Sequence, residues 1–195
     1  ANLKKSGQHP VLIPDNIYPY FISLPTHYTD EYKDSFNRDR ILVIRIRSIQ
    51  ISRRIVAALE TDKRATLKTL QQIFFIDKSD YNLKFILGIL NSKITNFYCN
   101  NFLVDDLNKE YILNIPIIKL DFSNSLDEKR HNQIINLVDE TIYLNKDLRV
   151  VPENSEKWEK LKSEIAKTDK KIDEEVYQLY GLTQEEIKIV EGSGL

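Results

Sequence analysis

The hydrophobic period changes once along this chain, and that change constrains the fold more than any other feature. Before residue 83 the apolar residues come in short β-branched runs, and four of the six prolines lie within the first 28 residues. Proline is tolerated in turns and edge strands but not inside helices. From Leu83 onward the apolar residues mostly repeat at helical spacing. The sequence therefore predicts an α+β fold: a small mixed β-sheet with a packed helix, followed by a C-terminal helical hairpin.

The clearest predicted strand covers residues 41–47. From Ile44 its apolar residues alternate with arginine, and successive side chains of a strand point to opposite faces. We therefore expect Ile44 and Ile46 to face the core, with Arg45 and Arg47 facing outward.

Further segments complete the predicted front part. Apolar runs at 55–59 and 70–76 predict two more strands, and 111–118 predicts a short one. Residues 83–98 have one apolar face at helical spacing, which predicts a continuous helix with Asp80 as its N-cap.

The back part is predicted to be helical throughout. One amphipathic helix is expected around 135–148 and a second at about 156–180, with Gly181 as the C-terminal cap of the second. Thr183 and Glu186 have the spacing of a capping box, which predicts a last short helix.

Arginine is concentrated in the front part. Seven of the nine arginines lie within residues 38–64, and residues 35–68 carry nine Lys/Arg against three acids (9 − 3 = +6) in a chain of net charge −1. The guanidinium fork suits phosphate or guanine, so the cluster favours a nucleic-acid surface. A solvated strand face that pairs with acids elsewhere explains the charge equally well. The candidate DNA-binding residues are Arg38, Arg40, Arg45, Arg47, Arg53, Arg54, Lys63, Arg64 and Lys68.

Charge also divides the chain as a whole. Residues 1–122 carry 17 basic and 13 acidic residues, whereas residues 123–195 carry 11 and 16. A basic front half and an acidic back half are expected when one part meets a polyanion and the other meets protein.

Several classes of chemistry are disfavoured. The single Cys99 excludes an internal disulfide and a cysteine-based zinc site, and three scattered histidines suggest no structural metal. No glycine-rich phosphate loop or other catalytic signature occurs, so we expect neither a cofactor nor catalysis in this chain. No run approaches the ~20 apolar residues of a membrane helix, and no signal peptide opens the sequence, so we expect a cytoplasmic protein without membrane contact.

One weak nuclease pattern is present. Pro14-Asp15 followed by Glu31-Tyr32-Lys33 loosely matches the carboxylates and lysine of metal-dependent nucleases. We discount it because the second half lies in polar sequence rather than in a predicted strand.

The chain begins with Ala1 and contains no methionine. A complete open reading frame of this length normally has several methionines. We therefore expect a piece of a longer protein, whose function belongs to a parent chain.

Several blocks of sequence together resemble a known family. They are the Leu-Asn-Ser-Lys run at 90–93 with Phe-Tyr at 97–98, the strand at 41–47 followed by Arg-Ile-Val-Ala-Ala at 54–58, and the segment 111–117 with its Asn-Ile-Pro-Ile ending. The tail 172–183 fits as well. This order resembles the TaqI-like C-terminal specificity domain, the target-recognition module of adenine-specific restriction–modification DNA methyltransferases. The resemblance extends over about residues 10–191.

The resemblance implies a division of labour with a parent enzyme. Residues 1–122 are expected to be the target-recognition domain, with double-stranded DNA as partner. Residues 123–195 are expected to be a docking hairpin for the parent's N-terminal methyltransferase domain, which binds S-adenosylmethionine. The parent would methylate adenine, alone or fused to an endonuclease, and the isolated fragment is expected to be able to dimerise through its helices. Half of a type I specificity subunit and a helical protein-interaction scaffold are the alternatives.

Overall fold

A computed structural model of the protein describes residues 21–22, 37–45, 53–64, 66, 69–75, 77–102, 107 and 109–192. The described strands are β1 (Phe21–Ile22), β2 (Arg40–Ile44), β3 (Ala57–Glu60), β4 (Leu70–Ile73) and β5 (Ile117–Ile118). The described helices are α1 (Leu83–Asn91), α2 (Lys93–Phe102), α3 (Lys109–Leu113), α4 (Ser125–Leu148), α5 (Glu156–Tyr180) and α6 (Gln184–Val190). This content confirms the predicted α+β class. None of the described helices combines the length and the hydropathy needed to span a bilayer.

β2 is the centre of a three-stranded antiparallel sheet with the order β3-β2-β4. Its first residue, Arg40, lies opposite Glu60 of β3, and its last, Ile44, lies opposite Leu70 of β4. The strands predicted within 55–59 and 70–76 are therefore confirmed, with shifted ends. β1 and β5 form a separate antiparallel pair.

The side-chain directions predicted for β2 are wrong. Ile41 and Val43 are fully buried, whereas Ile44 is only half-buried. Arg45 is half-buried as well and does not project freely from the sheet. Apolar residues occupy both faces of this strand, so alternation with arginine did not identify the buried face; a long arginine stem can also lie along apolar surface. Ile46 and Arg47 lie outside the described residues.

The helix predicted over 83–98 is two helices. α1 ends at Asn91, Ser92 is extended (φ −70°, ψ 159°), and α2 begins at Lys93. The Ser92 hydroxyl donates to the carbonyl of Ile89 (2.7 Å), which satisfies one of the last carbonyls of α1. The N-cap of α1 is Asn82, whose side chain accepts from the amide of Lys84 (2.8 Å), and not Asp80 as predicted.

The strand predicted over 111–118 is also mostly wrong. Residues 109–113 form the short helix α3, and only Ile117 and Ile118 are in a strand. The buried side chains of this segment are Ile112, Ile115 and Ile117. Isoleucine favours strands, but packing of a single helical turn into the core overrides that preference here.

The hairpin helices follow their local signals. α4 begins ten residues before the predicted start, because Asn124 caps it and accepts from the amide of Leu126 (2.9 Å). α5 has the predicted bounds, and Gly181 caps it in the left-handed conformation (φ 67°). The capping box of Thr183 and Glu186 at the start of α6 is confirmed.

The hairpin packs directly on α1. A Cβ placed on Gly88 would lie 2.7 Å from Ile134 Cγ2 and 3.1 Å from Val138 Cγ2 of α4, and 3.8 Å from Ile172 Cγ2 of α5. Glycine is therefore what lets the helices approach this closely. Residues of the sheet, α1, α4 and α5 belong to one buried hydrophobic cluster. The predicted boundary at residue 122 stays a prediction.

Candidate nucleic-acid interface

The antiparallel register distributes the predicted basic residues over two ends of the sheet. The strand ends near Glu60, which we call the turn end, carry Arg38, Arg40, Lys63 and Arg64. The opposite ends of the strands, which we call the helix end because it contacts the α1–α2 junction, carry Arg45, Arg53 and Arg54. The first and last of the five residues of β2 are four strand steps apart, which separates the two ends by about 13 Å. Arg47 and Lys68 lie outside the described residues.

At the turn end, Arg40 is internal. Its side chain is fully buried, and its Nη2 donates to the carbonyl of Arg64. Its Nη1 lies 3.4 Å from the carbonyl of Arg38. One guanidinium therefore joins the start of β2 to the segment that follows β3.

Residues 60–64, at the end of β3 and just beyond it, form a turn built on Glu60. Glu60 is nearly buried, and its Oε1 accepts from the amide of Asp62 (2.7 Å). Lys63 adopts a left-handed conformation (φ 58°), which is uncommon for a residue other than glycine. The side chains of Asp62, Lys63 and Arg64 are exposed, and Arg64 Nη2 donates to Asp62 Oδ2. Two cations are thus displayed on a turn whose base is buried.

Arg38 lies beside this turn and is half-buried. Its Nη1 donates to the carbonyl of Phe75 (3.3 Å), and its guanidinium carbon lies 5.9 Å from the ring centroid of Phe74. Arg38 therefore packs over the end of β4 while part of its side chain remains accessible.

At the helix end, the side-chain amide of Asn91 pairs with the main chain of β3 as a residue of a neighbouring strand would. Its Nδ2 donates to the carbonyl of Ala57 (2.9 Å), and its Oδ1 accepts from the amide of the same residue (3.0 Å). Asn96 Oδ1 accepts from the amide of Arg54 (2.6 Å). These bonds give the Leu-Asn-Ser-Lys run a physical role: it ends α1 and fixes the approach to β3.

The three arginines of the helix end differ in exposure. Arg54 is buried, Arg45 is half-buried, and Arg53 is exposed with its Nη2 3.5 Å from the carbonyl of Asn91. The Nε of Arg45 is buried and finds no hydrogen-bond partner among the described residues. Arg40 and Arg54 are buried, so their guanidinium groups are not exposed on the surface of the free protein, and the assignment of the nine basic residues to DNA contact stays a prediction.

Sequence reasoning missed the group that joins α2 to the hairpin. Asp173 of α5 is buried, and its Oδ1 accepts from the amide of Lys93 at the first residue of α2 (2.8 Å). Lys93 Nζ lies 2.9 Å from Glu191 and 3.9 Å from Asp173. Burial raises the pKa of Asp173 to about 6, although the Lys93 amide and ammonium counteract it. In the sequence, this contact was indicated by an acidic residue directly after Ile172, on the apolar face of α5.

Other reactive groups do not assemble into a site. Burial raises the pKa of the Cys99 thiol to about 12, so this sulfur is a poor nucleophile. Within the described ranges, no group of three or more His, Cys, Asp or Glu side chains could hold a metal ion. The pattern of Pro14-Asp15 and Glu31-Tyr32-Lys33 falls outside the described residues and is not tested.

Residues 9–117 of the 195 match the family model of the TaqI-like C-terminal specificity domain. The chain belongs to this family. The match includes both ends of the sheet and stops before α4. The domain is thus a DNA-recognition specificity module of restriction–modification systems, and the family is defined by specificity rather than by catalysis. No curated protein matches the chain.

Proposed function

We propose that this specificity domain is the target-recognition module of an N6-adenine DNA methyltransferase, alone or fused to an endonuclease, and that duplex DNA contacts both ends of its sheet. The observation that supports this contact is the presence of exposed cations at both ends of the sheet. Lys63 and Arg64 are exposed at the turn end, and Arg53 is exposed at the helix end.

The separation of the two ends suits a duplex. The separation is about 13 Å along β2, and the major groove of B-DNA is roughly 12 Å wide between its phosphate backbones. The sheet can therefore lie across a groove with one end near each backbone. Phosphate contacts of this kind fix orientation, whereas side chains that reach base edges read the sequence.

Hydrogen bonds support both ends. The buried guanidinium of Arg40 holds the turn end, and the side chains of Asn91 and Asn96 hold the helix end. Cations on preorganised supports lose less conformational freedom when they bind. This favours binding by a surface that is already formed in the free protein.

In this proposal the parent's separate catalytic domain binds S-adenosylmethionine and acts on the adenine, in the cytoplasm. The hairpin is the docking region for that domain. Tyr143 and Val150 of the hairpin are 65% and 82% exposed, so both are accessible to such a contact. Dimerisation of the isolated fragment through the same helices stays a prediction.

Titration of labelled duplex DNA at 50 and 200 mM salt tests the interface. Wild type should bind at low salt, and its affinity should fall steeply as salt rises because bound cations release counterions. Arg53→Ala and Arg64→Ala should each weaken binding and lower the slope of log K against log salt by roughly one unit. Arg149→Ala, which removes an exposed arginine from the hairpin connection, is the matched control and should change neither quantity.

Two results would count against the proposal. Binding that does not depend on salt would exclude an electrostatic interface at these residues. Absence of binding even at low salt would exclude duplex DNA as a partner of the chain on its own.

A further inference from the structure

The turn at residues 60–64 carries an arginine, Arg64, that is already paired. Arg64 Nη2 donates to Asp62 Oδ2, and its Nη1 lies 4.0 Å from Glu60 Oε2. The side chains of Arg64 and Asp62 are 67% and 60% exposed. The turn holds two acids and two bases, so its net charge is zero. The exposed arginine proposed for DNA contact is therefore balanced, in the free molecule, by a carboxylate two residues away.

This ion pair is not what shapes the turn. The carbonyl of Arg64 is held by the buried guanidinium of Arg40, and the amide of Asp62 is held by the nearly buried Glu60. Exposed ion pairs add little to folding stability because water screens them. The Asp62 side chain can therefore release Arg64 while the backbone of the turn stays in place.

A DNA phosphate is a direct competitor for the same guanidinium. Carboxylate and phosphate both accept charge-assisted hydrogen bonds from the arginine fork. Both ion pairs are exposed to solvent, so replacing the carboxylate by a phosphate changes the free energy little. The displaced carboxylate also remains close to the phosphate. The result is weaker phosphate binding than Arg64 would give alone.

We propose that Asp62 occupies Arg64 in the free protein and is displaced by a DNA phosphate, so that Asp62 limits the affinity of this module for DNA of any sequence. The inference rests on the proposed function, since it concerns the same interface. Binding that is independent of sequence comes mainly from phosphate contacts. A carboxylate that competes only for this phosphate lowers the affinity for target and for other DNA by the same factor, so it sets how tightly the module holds DNA and leaves the ratio of the two affinities unchanged.

The test is a double-mutant cycle on the full chain with a labelled random-sequence duplex at 50 mM salt. Asp62→Asn should tighten Kd by about three- to tenfold, the range expected when one competing charge leaves a phosphate contact. The same change in an Arg64→Ala background should alter Kd by less than about twofold, because the cation it releases is absent. Glu153→Gln removes one exposed negative charge from the hairpin connection and should leave Kd within about twofold of wild type.

The results separate this inference from the proposed function. If wild type binds and Asp62→Asn binds equally, or if the gain persists without Arg64, the inference is wrong and the interface stands. If neither protein binds at low salt, both are wrong. Binding by Asp62→Asn alone supports the inference. Asp62→Ser is a second variant that should show the same gain, and a thermal unfolding curve for each protein confirms that it is folded.

Discussion

Arg40 and Arg64 lie at the same end of the sheet, and their burial gives them different roles. Arg64 is exposed, so its guanidinium can exchange one anion for another with little change in solvation. Arg40 is fully buried and donates to main-chain carbonyls, so it cannot leave them without exposing a charge to an uncompensated interior. One arginine is suited to binding, and the other holds the binding element.

Arg40→Ala should therefore lower the free energy of unfolding by about 2–5 kcal/mol, because two main-chain carbonyls lose their donor at about 1–3 kcal/mol each. Arg53→Ala, at an exposed position, is the matched control and should change it by less than about 1 kcal/mol. Urea unfolding followed by circular dichroism measures both. If Arg40→Ala is as stable as Arg53→Ala, the buried guanidinium is not a structural support.

The sequence located the basic cluster but could not sort its members. Composition and spacing identify arginines, and they carry no information about which stems are buried. Two acceptors of Arg40 are main-chain carbonyls, which every residue has, so these contacts could not be inferred from residue types. The separation into two ends required the register of β2 with β3, which only the folded chain supplies.

Among the elements, the α1–α2 junction was predicted wrongly from the local sequence, because contacts with distant residues determine where α1 ends. The apolar face continues across residues 90–94, which favours one helix. The break is stabilised by Asn91 with Ala57 and by Asp173 with Lys93, pairs that are 34 and 80 residues apart. By contrast, both ends of α5 and the start of α6 were predicted well, because the residues that cap them lie next to the helix in the sequence.

Asp173 should make stability depend on pH. Its pKa is raised from 3.8 to about 6 in the folded protein, so the folded state binds the proton more tightly than the unfolded state. Its contribution is fully present below about pH 4 and is lost as pH rises through about 6. The groups around it are Lys93, Asp169 and Glu191, and like-charge repulsion from the two acids adds to the burial effect.

Asp173→Asn keeps an oxygen that can accept from the Lys93 amide and removes the charge. The free energy of unfolding of this variant, relative to wild type, should increase between pH 4.5 and 7.5 by on the order of 2–3 kcal/mol. Urea unfolding of both proteins across this range measures it. Burial lowers the pKa of His131, but His131 titrates in both proteins, so its effect cancels in the difference. A difference that does not change with pH would show that the Asp173 carboxyl is ionised at little cost.

At the scale of the whole molecule, the segment that matches the family ends before the segment that forms the hydrophobic core. The match ends at residue 117, yet α1, inside it, is buried on every side from Phe85 to Leu90. A helix that is buried all round needs cover on each face. The sheet supplies one part of that cover, and α4 and α5 supply the rest through Gly88. The hairpin is therefore part of the core of the recognition domain in addition to any docking role.

A chain that ends at Phe122 should consequently lose cooperative unfolding. Truncation removes Ile134, Val138 and Ile172 from the shared cluster and exposes the α1 face around Gly88 to water. Loss of several buried aliphatic side chains at about 2–5 kcal/mol each exceeds the stability of most domains of this size. Thermal unfolding of the truncated and full chains measures the effect.

Gly88→Ala in the full chain is a milder test of the same contact, because it retains the hairpin and forces α4 away from α1. It should lower the free energy of unfolding by about 1–3 kcal/mol while unfolding stays cooperative. A truncated chain that unfolds cooperatively at the wild-type temperature would instead show that residues 1–122 are an independent domain. In that case the contact at Gly88 would be an interface between two folded units, and the hairpin would be free to change its partner.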